Sequence, residues 1–558
     1  MRSKNIKFYR MGRKWTRNVF ILFLATSGRV EAAKFLFDAT KAEMAGSADW
    51  VIDADSHTLN VGSGNGSGRV MSSNSYDSNP QRVPNPAQSG ITSSTSETYW
   101  QGALSSWAVD LVQAGHQVET LPYNGKITFG DTTNTQDLSN YDVFVLVEPN
   151  ILFTAAEKVA LISYVKNGGG LLMVSDHGSL TGGTGSDRNN DGADSVDVLN
   201  DLMTNAVQNS PFGVSFNGND ISGSYSYVNT SSSDPLIRGA AGTVNNIEFN
   251  NGSNITINTS QNASVTMAIW SSSSRSTSTG VVAYGSYGSG RFVAFGDSST
   301  FDDGTGDTGD TLYNSYNLSS YGNSKVILNA SFWLAEKPPE VTTGTATGVG
   351  TNSATLNGVV NPNGLSTTAK FLYGTTTNYG SVTNVTGTLT GTNATNVSVG
   401  LTNLVAGTTY HYALAATNAA GSAQGSDQSF TTWTTLQAWR QQWFGTTSNS
   451  GSAADTYVAS GDGLANLIKY GLALNPLVAS PSPITFSLAG GYLTIRVPRS
   501  SSATGISYFL ESTDNLAGGW STSSVVIDVN TPTLLQGHDS NPLSGTSRRF
   551  MRLRLTQP

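Results

Sequence analysis

Four short apolar runs, each closing on a carboxylate and each set apart from the next by helix-like sequence, constrain this chain most. They span residues 33–38, 141–148, 170–176 and 291–297, and they end on Asp38, Glu148, Asp176 and Asp297. Helix-like segments lie at 99–114, 154–166 and 194–206, and a last one at 324–335 closes the region. The first puts Leu104, Trp107, Leu111 and Val112 on one face, and the second opens on Thr154 as an N-cap and stops at Gly168. Alternation of this kind predicts a doubly wound, flavodoxin-like α/β domain over 33–337, with a parallel sheet and helices on its faces. Residues 62–96, rich in Gly, Ser, Asn and Pro, read as a long surface loop, and 210–279 is polar with weak strand signals at Ile247 and 265–270.

The start of the chain has the form of an export signal. Arg2, Lys4, Lys7, Arg10, Arg13, Lys14 and Arg17 precede the apolar run 19–25, and Val30, Glu31 and Ala32 follow at the position of a cleavage site. A signal peptide over 1–32 is expected, and with it a secreted or cell-surface location. The apolar run is far shorter than the roughly 20 residues of a membrane span, and no later segment approaches that length. The 558 residues contain no cysteine, so stability has to come from sizeable cores rather than covalent staples. The leader carries eight basic residues and one Glu, a net of +7, so its removal would take the formal charge from −8 to −15. An acidic chain with few basic clusters argues against a nucleic-acid partner.

After 337 the composition changes to short alternating β runs separated by Gly, Asn and Pro. The segments 353–358 and 370–374, the stretch from Leu404 through Tyr410 to Tyr412, and the closing 429–432 resemble a fibronectin type III domain over 338–433, an all-β sandwich with a tyrosine corner. Residues 434–480 form a helical linker with an Asp-Gly loop at Asp462. This linker is similar to a segment near the C-termini of many exported bacterial proteins, especially in the Verrucomicrobia, whose loop is often of the dockerin calcium type; here only Asp462 is left of the acidic ladder. Residues 481–558 read as a small β-rich C-terminal domain.

In an open parallel sheet, ligands bind outside the carboxyl ends of the strands. If the four runs share one sheet, Asp38, Glu148, Asp176 and Asp297 gather along that edge, where crowding either recruits cations and donors or raises pKa values. The plainer alternative is that each caps a helix or a turn. His177 follows Asp176, and the pair has the types of a metal ligand set or a general base with its orienting group. The other histidines, His57, His116, His411 and His538, are expected at the surface. Asp187, Asn189, Asp191 and Gly192 fit the first half of an oxygen-ligand calcium loop, with Asp194 or Asp197 completing the shell, although position twelve is Val198 and not Glu. A solvated Asx-rich loop is the alternative. The expected cofactor is therefore calcium or another divalent metal.

The order of 141–150, 168–177 and 290–298 makes the α/β region resemble the class I glutamine amidotransferase-like fold, near its gliding-motility and intraflagellar-transport branch and trehalose-utilisation-type domains. That resemblance implies a nucleophile on the sharp turn after 170–175. This chain has Asp176 and His177 there and no cysteine anywhere, which excludes glutaminase chemistry. Ser175, Ser298 and Ser299 lie near strand ends without a Gly-x-Ser-x-Gly elbow. Two main readings stand. One is a metal-dependent hydrolase acting on an extracellular polymer or ester, with Asp38, Glu148, Asp176, His177 and Asp297 as catalytic or ligating groups. The other is a non-catalytic carbohydrate- or protein-binding cell-surface module whose acidic edge holds structural calcium, with Asp187, Asn189, Asp191 and Asp194 of the neighbouring loop as candidate metal ligands. A purely structural cell-surface protein is a third.

Overall fold

The computed structural model describes residues 32–45, 48–53, 88–122, 124–178, 193–203, 211–305, 313–543 and 548–557. The expected signal peptide and most of the loop 62–96 lie outside these residues. The chain is multidomain and divides into two compact units, one running to Lys337 and also taking in Asn363–Leu365, the other made of the remainder.

Apart from two-residue strands, the first unit runs β1 (Lys34–Asp38), α1 (Ser105–Gln113), β2 (Gln117–Leu121), β3 (Val143–Val147), α2 (Ala155–Lys166), β4 (Gly170–Val174), α3 (Ser195–Met203), β5 (Val214–Phe216), β6 (Ile221–Tyr225), β7 (Ile247–Gly252), β8 (Ile255–Ile257), β9 (Thr266–Trp270), β10 (Gly280–Tyr287), β11 (Gly290–Phe295) and α4 (Asn323–Ala335). Five strands are parallel in the order β2-β1-β3-β4-β11, and β10, β8 and β5 extend the sheet antiparallel beyond β11. The strand period of two sends alternate residues to two separate cores. Phe35, Phe37, Val145 and Phe295 pack with Trp107 of α1 and Ile327 of α4. On the other face Leu36, Phe144, Leu146 and Met173 pack with Leu161 of α2 and Leu199 of α3. Every residue of β3 and β4 is buried, which explains why those strands are apolar throughout rather than alternating.

Local chemistry sets the helix ends. Thr154 and Glu157 form a reciprocal capping box on α2. The helix expected from residue 99 begins only at Ser105. Gly102 and Leu104 donate their N–H groups to Ile52 and Val51 carbonyls instead, and a side chain at Gly102 would sit 2.0 Å from the Val51 oxygen. Asp303 then caps α1 from a distance, accepting the Ser106 N–H at 2.5 Å.

In the second unit, strands Glu340–Thr343, Ala354–Asn361 and Thr395–Leu401 form one sheet. Ser381–Asn384, Thr368–Gly374, Thr409–Asn418, Gly421–Gln424 and Gln428–Thr431 form the other. Leu356, Phe371, Tyr412, Leu414 and Phe430 fill the space between them. The Val405 N–H donates to the Tyr410 hydroxyl oxygen at 3.0 Å, closing a tyrosine corner. Tyr410→Phe removes that acceptor, and a loss of about 1 kcal/mol is expected in denaturant unfolding of this unit, with its slope unchanged.

Further on, α5 (Thr435–Phe444) carries a Thr434–Gln437 capping box and ends on Gly445 at φ +70°. After it, α6 (Asn466–Gly471) leads into a four-stranded antiparallel sheet of Thr485–Ala489, Tyr492–Pro498, Leu534–Asp539 and Val525–Thr531, and a second pair, Ser507–Thr513 with Phe550–Thr556. The Asp-Gly loop is organised around an ammonium. The fully buried Lys469 Nζ lies 2.6 Å from Asp462 Oδ2 and donates to the carbonyls of Val478 (2.8 Å) and Asn475 (3.3 Å) and to Ser460 Oγ. The Asp462 carboxyl is held well below its usual range, first by Lys469 and then by the Ser480 and Leu464 N–H groups. No helix among the described residues is long and apolar enough to cross a membrane.

Candidate functional site

Because β1, β3, β4 and β11 are adjacent and parallel, Asp38, Glu148, Asp176 and Asp297 do share the carboxyl edge of one sheet. They do not merge into one cluster, since each has its own partners. Asp38 accepts the Thr40 N–H at 3.1 Å and shares a hydrogen bond with the Glu43 carboxyl, which itself takes the Lys41 N–H. Burial raises both, Asp38 above its ordinary value and Glu43 well above it. Glu148, fully buried, accepts the Trp50 indole N–H at 2.8 Å and the Ser298 hydroxyl at 2.6 Å on the same oxygen. Its φ of +50° makes it the strained residue of the edge, so the sharp turn follows β3 and not β4. Asp297 accepts four donors: the N–H groups of Asn250 (2.6 Å) and Ser299 (2.8 Å) and the hydroxyls of Ser299 (2.6 Å) and Thr300 (3.3 Å). Burial still pushes it up to about 7.

Asp176 and His177 differ from the other three positions. Asp176 Oδ2 lies 3.0 Å from His177 Nδ1, and the imidazole keeps 23% of its surface exposed. The dyad's main chain is fixed by Ser195 Oγ, which accepts the Asp176 N–H at 3.0 Å, and by the Asn251 carbonyl, which accepts the His177 N–H at 3.2 Å. An Asp carboxylate on Nδ1 holds the proton there and leaves Nε2 as the basic nitrogen. The serine alternatives are engaged elsewhere: Ser298 with Glu148, Ser299 with Asp297, and Ser175 with the Asp176 carbonyl and Ser253.

Asn251 links the outer hairpin to this edge. Between β6 and β7 the register shifts between Phe249 and Gly252, and the bulge sets Asn251 at φ +58°. Gly252 and Gly296 allow the approach, because side chains there would lie 2.5 Å from Asp297 Cβ and 2.0 Å from the Ser253 oxygen. The bulge directs the Asn250 N–H to Asp297 and the Asn251 carbonyl to His177, while Asn251 Nδ2 donates to Asp220 at 3.2 Å and its Oδ1 accepts the Tyr313 hydroxyl at 3.2 Å. Burial and the nearby Asp297, Asp176, Asp220 and Asp302 raise the Tyr313 phenol above its usual value.

Among the described residues, no three His, Asp or Glu side chains are grouped to hold a metal ion. Asp187, Asn189 and Asp191 lie outside the described residues. Asp194 caps α3, accepting the Asp197 N–H at 3.1 Å. His57 also lies outside, and His411 and His538 are partly exposed beside Asp427 and Asp528. His116, expected at the surface, is buried between Phe35 and Phe332 and accepts the Ala33 N–H; burial lowers it to about 4. Glu43, Trp50, Asn251 and Tyr313 are site residues that sequence reasoning missed. A surface depression of 700 Å³ lined by Pro211, Asn262, Tyr287 and Gly288 sits by the turn entering β11, away from the carboxyl edge.

Asp110 of α1 gives a pH test of the unit. Burial pushes its carboxyl up to about 7 while the Tyr316 hydroxyl donates to it at 2.9 Å. Between 3.8 and about 7 the folded state keeps a proton that the unfolded chain has lost, so this group's contribution is greatest below pH 4 and is lost as pH rises to 7. Asp110→Asn is expected to raise the melting temperature at pH 8 and to have little effect at pH 4, measured by thermal melts across that range.

No protein-family model and no curated protein matches the chain. Similar solved structures include the sensor domain of the anti-sigma factor RsgI4 in Pseudobacteroides cellulosolvens, 21% identical, covering 18% of this chain and 97% of that one at a TM-score of 0.15. The mmIFT52 N-terminal domain is 16% identical over 40% of this chain and 88% of its own, at 0.28. A fibronectin type III domain derived from human KIAA0970 protein is 16% identical over 17% and 73%, at 0.13. Scores this low leave the chemistry to be argued from the geometry.

Proposed function

We propose that the first unit is a hydrolase of an extracellular ester or polymer, in which His177 is the general base and Asp176 its orienting group. The observation that carries this is the 3.0 Å Asp176–His177 dyad, rigid in its main chain and partly exposed, at the carboxyl end of a central parallel strand. His177 Nε2 removes a proton from water as it attacks the carbonyl carbon, and Asp176 stabilises the imidazolium that forms. Asp38, Glu148 and Asp297, occupied by internal donors, shape the edge. Among the described residues no group of three forms there to hold a metal ion, so the step is placed at the dyad alone, with calcium as a structural ion at Asp187, Asn189 and Asp191.

In this reading the fold is an amidotransferase-like domain without its nucleophile, carried by an exported protein. The five-strand parallel order with helices on both faces supports that view. The internal donors on Asp38, Glu148 and Asp297 favour a second reading, a non-catalytic binding module whose buried carboxylates are purely architectural. A panel of chromogenic ester, glycoside and phosphodiester substrates separates the two. The intact chain is expected to turn over at least one class, and Asp176→Asn to lose that turnover at an unchanged melting temperature; no hydrolysis across the panel leaves the binding module.

A further inference from the structure

We propose, resting on the hydrolase reading above, that Tyr313 is the proton donor of the same site and delivers its phenolic proton to the leaving oxygen. One residue ties the two groups together. The Asn251 carbonyl accepts the His177 N–H and its Oδ1 accepts the Tyr313 hydroxyl, both at 3.2 Å, so base and phenol are held from a single bulge. The orientation of the Asn251 amide follows from its neighbours. Asp220 can only accept, so Nδ2 faces it and Oδ1 faces the phenol, which must then donate. Asn251 is itself held by its N–H to Ser222 Oγ at 2.8 Å.

The main chain of Tyr313 is equally fixed, with its N–H on Asp302 Oδ2 at 2.7 Å, while the Asp302 carbonyl accepts the Tyr316 N–H at 2.9 Å. The side chain is only partly buried, so a ligand at the edge can take the place of Asn251 as the acceptor. Burial first, and then the surrounding carboxylates, disfavour the phenolate and keep the group a neutral donor.

The step balances. Water gives a proton to His177 Nε2, its oxygen bonds to the carbonyl carbon, the bond from that carbon to the alcohol oxygen breaks, and the alkoxide takes the Tyr313 proton. The imidazolium then returns its proton through solvent to the phenolate, leaving one acid and one alcohol. A leaving group that departs as a stable anion has little need of Tyr313, whereas an alkoxide depends on it.

The test compares p-nitrophenyl acetate with ethyl acetate, the latter followed by acid release, for the intact chain and for Tyr313→Phe and His177→Ala. Tyr313→Phe is expected to lower kcat on ethyl acetate by about 100-fold and on p-nitrophenyl acetate by only a few-fold, with an unchanged melting temperature. An equal loss on both esters, or on neither, overturns the role of Tyr313 while His177→Ala still abolishes both. If His177→Ala keeps both activities, the hydrolase reading has failed and this proposal with it; if the unaltered chain cleaves neither ester, the role of Tyr313 is overturned, while turnover of another class in the panel still supports the hydrolase reading.

Discussion

His177→Ala is expected to lower ester hydrolysis by roughly a thousandfold while leaving the melting temperature of the first unit where it is. The two halves of that expectation have different origins. The imidazole is partly exposed and bonded through Nδ1 to Asp176, so its removal opens no apolar cavity. The backbone bonds from Asp176 to Ser195 Oγ and from His177 to the Asn251 carbonyl remain in the variant. Chemistry is lost because no other described histidine lies on this edge: His116 is buried in the core around Phe35, and His411 and His538 belong to the second unit. The rate and a thermal melt, measured on one preparation, check both halves.

Lys469→Met is expected to lower the melting temperature of the second unit by roughly 10 °C. The ammonium is fully buried, and its removal strands Asp462 and the Val478 and Asn475 carbonyls together. Lys469→Arg does not restore the loop, because a planar fork cannot replace a point charge among oxygens converging from Asp462, Ser460 and two carbonyls. The cation belongs to the chain itself, so a chelator leaves this unit's transition in place. Differential scanning calorimetry with and without chelator measures each of these effects.

The parts of the fold that could be read in the sequence are those whose signal is local. β3 and β4 are five-residue apolar runs buried on both faces, and the next residues along the chain bring Glu148 and Asp176 to one edge. Thr154 announces α2 through a cap three residues from its partner. The tyrosine corner is local in the same way, with donor and acceptor five positions apart.

Long-range partners left no such signal. Tyr313 meets Asn251 across 62 residues, and both come from polar sequence. β6, with sequence ISGSY, has no apolar alternation to betray it, and its burial is intermediate or exposed throughout. The start of α1 shifted because Gly102 and Leu104 found carbonyls near Ile52, and His116 was enclosed by Phe35 and Phe332, more than 80 and 200 residues away in sequence. The four carboxylates share one edge because their strands are adjacent, yet they form no cluster, since their donors, Trp50, Asn250 and Ser298 among them, are set by tertiary packing.

The proposed chemistry requires that Asp176 orient the His177 ring by accepting a hydrogen bond from Nδ1. Nitrogen-15 chemical shifts of the imidazole, assigned to His177 by difference against His177→Ala, report the tautomer directly at neutral pH. The Nδ1–H form is expected in the intact chain and is expected to be lost in Asp176→Asn. A ring that carries its proton on Nε2 in the intact chain would contradict it.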